Sequence, residues 1–243
     1  MCRHAAWLGS PKPLTWLLSE PEHGLYRQAY APRMQRHGTV NADGFGVGWY
    51  DGTLGEPVRY RRPIPIWADP GLAGIARTGR STCLIGAVRS ATRGMPVEEA
   101  ATAPFTDGRW LLSHNGQVRR DAVWPLATAP ESPCDSAVLA SAVFARLRAG
   151  APPEDALASI VTEAAAADPE ARLNVLLCGG TEIAAVAWGD TLFTRIDEAG
   201  DGVFVASEPL DDRPGWQPVP DRSLVFATPD GVRITPIDSG SDL

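Results

Sequence analysis

Short apolar runs punctuated by glycine, proline and aspartate dominate this chain, and they read as strands rather than helices. Arg3 to Leu8 forms the first, holding the start of the chain in a core, and Ser10 to Pro13 reads as a turn. Leu14 to Leu18 and Glu22 to Tyr30 supply short helices, and a polar loop runs from Ala31 to Asp43. In Asn41 to Tyr50 glycine alternates with bulky residues. As a strand it therefore presents bare backbone on one face, where Gly44, Gly46 and Gly48 let another backbone or a ligand approach.

Val58 to Ile66 is a partner strand, and Asp69 to Ala76 has the acidic start and early proline of a helix. Cys83 to Arg89 is a continuous apolar strand ending in a charge, and Ser90 to Gly94 leaves the sheet. A loop from Pro96 to Asp107 leads to a strand over Arg109 to Ser113, which runs into His114-Asn115-Gly116, a turn signal. Two longer helices follow. One starts at Asp135 and Ser136 with Leu139, Val143 and Leu147 in register; the other covers Glu154 to Ala167 behind Pro152-Pro153. Strands then follow one another: Leu173 to Cys178, Ile183 to Trp188, Thr191 to Ile196, Val203 to Ser207, Leu224 to Ala227 and Val232 to Ile237. Strands, a helix pair and more strands, without a repeat or a linker, imply one α+β domain of two antiparallel sheets with helices outside them.

Composition narrows the functional classes. The 243 residues carry 22 basic and 29 acidic side chains, a formal charge of −7, which argues against broad contact with nucleic acid or an anionic membrane. Cys2, Cys83, Cys134 and Cys178 are far apart and the four histidines have no ligand spacing, so neither a disulfide framework nor a metal site is suggested. Cys83 and Cys178 sit inside apolar runs and read as core. With no apolar run of membrane-spanning length and no secretory leader pattern, the expected location is the cytoplasm.

The chemistry begins at Cys2. A cysteine after the initiator methionine permits trimming of Met1, leaving a thiol and a free α-amine on one residue. An amine with a pKa of about 7.7–8.0 can act as base for that thiol, directly or through water. If Cys2 attacks an amide carbonyl, the developing oxyanion needs donors, and Asn115 with the unobstructed N–H of Gly116 offers two from adjacent positions. If the amide is glutamyl, its α-carboxylate calls for an arginine and its α-ammonium for a carboxylate; Arg89 and Asp135 are the candidates. Simpler readings exist for both, a surface arginine at a strand end and a helix N-cap.

Taken together, Cys2, Arg89 with Thr92, His114-Asn115-Gly116 and Asp135-Ser136 occur in the order and approximate separation of the class II glutamine amidotransferases. The chain resembles that N-terminal nucleophile (Ntn) hydrolase family over at least its first 140 residues. The resemblance implies a four-layer αββα sandwich, one type 2 amidotransferase domain over residues 1–243, and chemistry needing no cofactor and no metal. It assigns Cys2 as nucleophile, Asn115 and Gly116 to the oxyanion, Arg89 with Thr92 to the substrate carboxylate, and Asp135 to the substrate amine.

Amidotransferases pass ammonia to a synthase, and little chain is left here for one. Either a separate synthase takes the ammonia, or the substrate is a γ-glutamyl amide other than glutamine. Met-Cys-Arg-His, Asn41 to Tyr50, Arg89 to Gly94 and Ser207 to Trp216 are similar to the ergothioneine-pathway amidohydrolases, which favours the second choice and a small-molecule γ-glutamyl substrate. Because that substrate carries a trimethylammonium, aromatic side chains are expected in its distal pocket. A catalytically silent binding module of the same fold is the alternative from outside enzymology.

Overall fold

In the computed structural model residues 2–197 and 199–237 are described. The elements in chain order are β1 (Arg3–Pro13), α1 (Thr15–Leu18), α2 (Leu25–Gln28), β2 (Phe45–Trp49), β3 (Val58–Arg62), α3 (Leu72–Thr78), β4 (Arg80–Val88), β5 (Phe105–Thr106) and β6 (Leu111–Gln117). Then come α4 (Arg120–Val123), α5 (Asp135–Arg148), α6 (Pro153–Ala167), β7 (Arg172–Cys178), β8 (Ile183–Ala187), β9 (Phe193–Ile196), β10 (Gly202–Ala206), β11 (Gln217–Pro218), β12 (Ser223–Thr228) and β13 (Gly231–Pro236).

The strands form two sheets. One has the order β11-β9-β10-β1-β4-β2-β3 and the other β13-β12-β8-β7-β6-β5. Neighbours run antiparallel throughout.

Period-two alternation divides each central strand between two apolar layers. From β1, Ala5 and Trp7 pack with Leu17, Leu18, Leu25 and Phe45 beneath the short helices, while Ala6 and Leu8 turn to the space between the sheets. From β6, Leu111 joins that inner layer, where Cys83, Ile85, Leu176 and Cys178 also lie; Leu112 packs outward against Leu139, Val143 and Leu157 of α5 and α6. Strands buried on both faces explain why the runs are continuously apolar. The result is the four-layer αββα sandwich, with Cys83 and Cys178 in its core as expected.

The sheet register places the site. Arg3 pairs with Val88, so Cys2 at the start of β1 comes level with Arg89 at the end of β4. The bare face of β2 is covered by this chain itself. A Cβ at Gly46 would collide with the Ala103 carbonyl, and one at Gly44 would come within 2.9 Å of the Thr102 hydroxyl, so backbone over 102–103 lies against the strand.

Two turn expectations are corrected. Ser10 to Pro13 is not a turn: β1 continues through it after an irregularity between Leu8 and Lys12, and pairs Lys12 with Ser81. His114-Asn115-Gly116 is not a hairpin either. It lies inside β6, paired with Val175, Asn174 and Leu173. Gly116 lacks the positive φ that an Asn-Gly turn requires. It is glycine for a different reason, since a Cβ there would collide with the Arg172 carbonyl.

Candidate active site

Cys2 is half-buried, unlike Cys83, Cys134 and Cys178, which are buried. Its Sγ lies 3.9 Å from the Ser90 carbonyl oxygen. Cys2, Val88, Arg89, Thr102, Ala103, Ser113, His114 and Ser136 line one cleft of about 20 Å³. That is room for about one water molecule.

Arg89 is buried by its strand end. Its Nη2 donates to the Pro96 carbonyl at 2.9 Å, whereas Nη1 is buried with no hydrogen-bond partner. An unpaired buried donor costs about 1–3 kcal/mol, which an incoming carboxylate would relieve. The neighbouring backbone is braced from β2's entry, where Asp43 accepts from Ala91 N at 2.8 Å and donates its own N–H to the Arg89 carbonyl at 2.9 Å. Thr92 is half-buried on the segment leaving the sheet; its carbonyl accepts from Met95 N at 2.9 Å.

Asn115 reaches β1, the strand that follows Cys2, through Ser207. The Ser207 hydroxyl donates to the His4 carbonyl at 3.1 Å and accepts from His4 N at 2.9 Å. Its one proton being used, it can only accept from Asn115, whose Nδ2 lies 3.4 Å away. That contact is long, and Asn115 Oδ1 is buried without a partner, so the carboxamide is held but not saturated.

Asp135 is not the cap of α5. Cys134 is, its Sγ accepting from Ala137 N at 3.4 Å. Asp135 is the first helical residue, buried, accepting from Val118 N at 3.2 Å and Ser136 N at 2.9 Å. It stands behind Ser136, which lines the cleft.

Sequence reasoning gave no role to four groups that the fold brings here. His114 Nε2 lies 2.9 Å from the Arg172 carbonyl, which accepts only, so Nε2 carries the proton and Nδ1 accepts from Ser136 Oγ at 2.9 Å. Burial lowers the His114 pKa against the opposing pull of Asp135, keeping the ring neutral. His4 meets Ser113 Oγ through Nδ1 at 3.1 Å, and burial followed by the Arg3 charge holds its pKa well below the usual value. The stretch from Val205 to Leu210 had only looked like a family segment; its Ser207 carries the Asn115 link and its Glu208 faces Arg3 at 3.7 Å.

Among the residues lining this cleft the rings are Phe105 and the His114 imidazole, with no tryptophan or tyrosine. Exposed rings gather elsewhere, with Tyr30 6.5 Å from Tyr26 and 6.1 Å from Trp67, both edge-on. Among the described residues one trio, Glu22, His23 and Asp212, could bring three ligand atoms together, but Asp212 is already paired with Arg33 at 2.6 Å. No described helix is long and apolar enough to cross a membrane.

The chain is 50% identical over 238 residues to the gamma-glutamyl-hercynylcysteine sulfoxide hydrolase of Mycobacterium tuberculosis, covering 98% of this chain and 97% of that one. In fold it is similar to a glutamine aminotransferase class-II domain protein from Silicibacter pomeroyi, with a TM-score of 0.70 and 24% identity over 98% of this chain and 100% of that one. It also matches the glutamine phosphoribosylpyrophosphate amidotransferase of B. subtilis, with a TM-score of 0.69 and 16% identity over 98% of this chain and 49% of that one. Residues 28–196 match the family described as glutamine amidotransferases class-II, and the chain belongs to that family.

Proposed function

We propose that this chain hydrolyses the γ-glutamyl amide of γ-glutamyl-hercynylcysteine sulfoxide, giving glutamate and hercynylcysteine sulfoxide, with Cys2 as nucleophile. The main support is the near full-length identity to a hydrolase of that name in a chain whose Cys2 shares a cleft with the unpartnered Nη1 of Arg89.

In this reading Met1 is removed and the α-amine of Cys2 takes the thiol proton. The thiolate adds to the γ-carbonyl, and Asn115 Nδ2 with the Gly116 N–H stabilises the oxyanion. Collapse breaks the C–N bond, the ammonium of Cys2 protonates the leaving amine, and a glutamyl thioester remains. The same amine then activates water, whose attack on the thioester releases glutamate and restores the thiol. Arg89 with Thr92 holds the α-carboxylate and Asp135 the α-ammonium throughout.

The test is glutamate release by the processed protein from the sulfoxide substrate and from glutamine. Efficient release from the former that is lost in Cys2→Ala supports the reading. Release from glutamine alone would make the chain a glutaminase, and release from neither would overturn hydrolysis altogether.

A further inference from the structure

The loop over residues 31–40 is tied to the nucleophile's strand by one buried carboxylate. Glu208 accepts from Arg33 N at 3.0 Å and from Met34 N at 2.9 Å. It also faces Arg3 at 3.7 Å, and Arg3 Nε donates to the Cys2 carbonyl at 2.7 Å. The loop is cross-braced as well: Asn41 donates to Gln35 Oε1 at 3.0 Å, and Gln35 donates to the His37 carbonyl at 3.0 Å. Its exposed residues are therefore held in place rather than trailing in solvent.

Between those braces stand Arg36 and His37, exposed, with side chains in no hydrogen bond or ion pair among the described residues. Arg33, by contrast, is occupied by Asp212 at 2.6 Å. Arg36 and His37 share their electrostatic surroundings with Arg3 and Arg172, since all four act on the buried carboxylate of Asp190. Arg172 approaches Asp190 Oδ2 only to 3.4 Å, and that oxygen and both Nη atoms of Arg3 lack hydrogen-bond partners.

We propose that Arg36 and His37 form a subsite for a carboxylate on the leaving amine, so that the loop selects γ-glutamyl amides whose released half is an amino acid. This inference rests on the hydrolase reading and adds to it. The glutamyl half has its own candidates in Arg89, Thr92 and Asp135, whereas a cysteine-derived leaving group brings a second carboxylate beside the scissile nitrogen. Ammonia, the leaving group of glutamine, brings none. A guanidinium held on a braced loop is suited to that carboxylate, because charge-assisted hydrogen bonds are the stronger kind and Arg presents its donors as a rigid fork.

The test uses a matched pair, γ-glutamylglycine and γ-glutamylglycinamide, which differ only in the carboxylate of the leaving amine. Wild-type protein is expected to prefer the acid by about 10–100-fold in kcat/KM, the usual range for a hydrogen bond to a charged group. The Arg36→Ser/His37→Ser variant should bring that preference close to one, and Arg36→Lys should retain part of it. A wild-type enzyme that cleaves both compounds equally, or a double variant that keeps the preference, would overturn the subsite while leaving hydrolysis standing. Failure of wild type to cleave any γ-glutamyl amide, the sulfoxide substrate included, would instead remove the hydrolase reading and the subsite with it. Unfolding midpoints of both variants should match wild type, as befits exposed positions.

Discussion

The guanidinium of Arg3 and the carboxylate of Glu208 face each other at 3.7 Å with both side chains fully buried. Two charges in such a place stabilise little as a pair, but removing one strands the other. Glu208→Gln is therefore expected to cost about 3–5 kcal/mol, read as a lower urea midpoint. Because Glu208 also accepts from Arg33 N and Met34 N, protease cleavage within residues 31–40 should accelerate in the same variant. An unchanged midpoint would mean that the pair is not closed in solution.

Asn115→Ala should lower kcat by about 10²–10³ with little change in KM, because an oxyanion donor acts on charge that exists only in the transition state. Steady-state kinetics on the preferred γ-glutamyl amide decides it. A fall of less than about tenfold in kcat would remove Asn115 from the oxyanion role.

Gly116→Ala separates strand from hairpin. In β6 the added methyl would meet the Arg172 carbonyl, so the β6 to β7 pairing must shift. Overpacking of this kind costs about 1–3 kcal/mol, and the displaced Asn115 should lower turnover as well. Full stability and activity in this variant would contradict the close approach.

Iodoacetamide should label Cys2 first. Cys134 is buried, and its thiol pKa is raised mainly by that burial, so less of it is thiolate at neutral pH. Mass spectrometry of briefly labelled protein resolves the two sites, and equal labelling would count against an activated Cys2.

Acidification should destabilise the fold before the carboxylates titrate. His4 and His114 are buried with pKa values lowered chiefly by desolvation, so between their folded values and about 6.5 the unfolded chain binds more protons. Stability then falls as pH drops below about 6.5, by up to ~1.4 kcal/mol per pH unit for each histidine. Urea midpoints measured from pH 7.5 to 5.5 give the slope, which His114→Gln should reduce.

The α+β class, the two antiparallel sheets and most strands were legible because both-faces-buried strands leave continuous apolar runs, as in Cys83 to Val88 and Leu173 to Cys178. Ser10 to Pro13 was misread because local glycine and proline signals outweighed a partner 69 residues away, Ser81 pairing with Lys12. Asn115-Gly116 was misread for the same reason: the dipeptide favours a turn in isolation, and only the packed Arg172 backbone gives Gly116 a different purpose. Cys2 stood out as a candidate nucleophile because it follows the initiator methionine, and Arg89 as a candidate carboxylate partner because it ends an apolar strand. The supporting groups were not. Ser207, Glu208 and His4 matter through residues some 90 to 200 positions distant, which no periodicity reports.

The bare strip on β2 has one more consequence. Since Gly46 leaves its space to the Ala103 carbonyl, that wall of the cleft is main chain resting on main chain. A single methyl on the strand beneath, at Gly46, would push that wall inward. Anyone reshaping the cleft for a bulkier acyl group should work from the loop side and leave the glycines untouched.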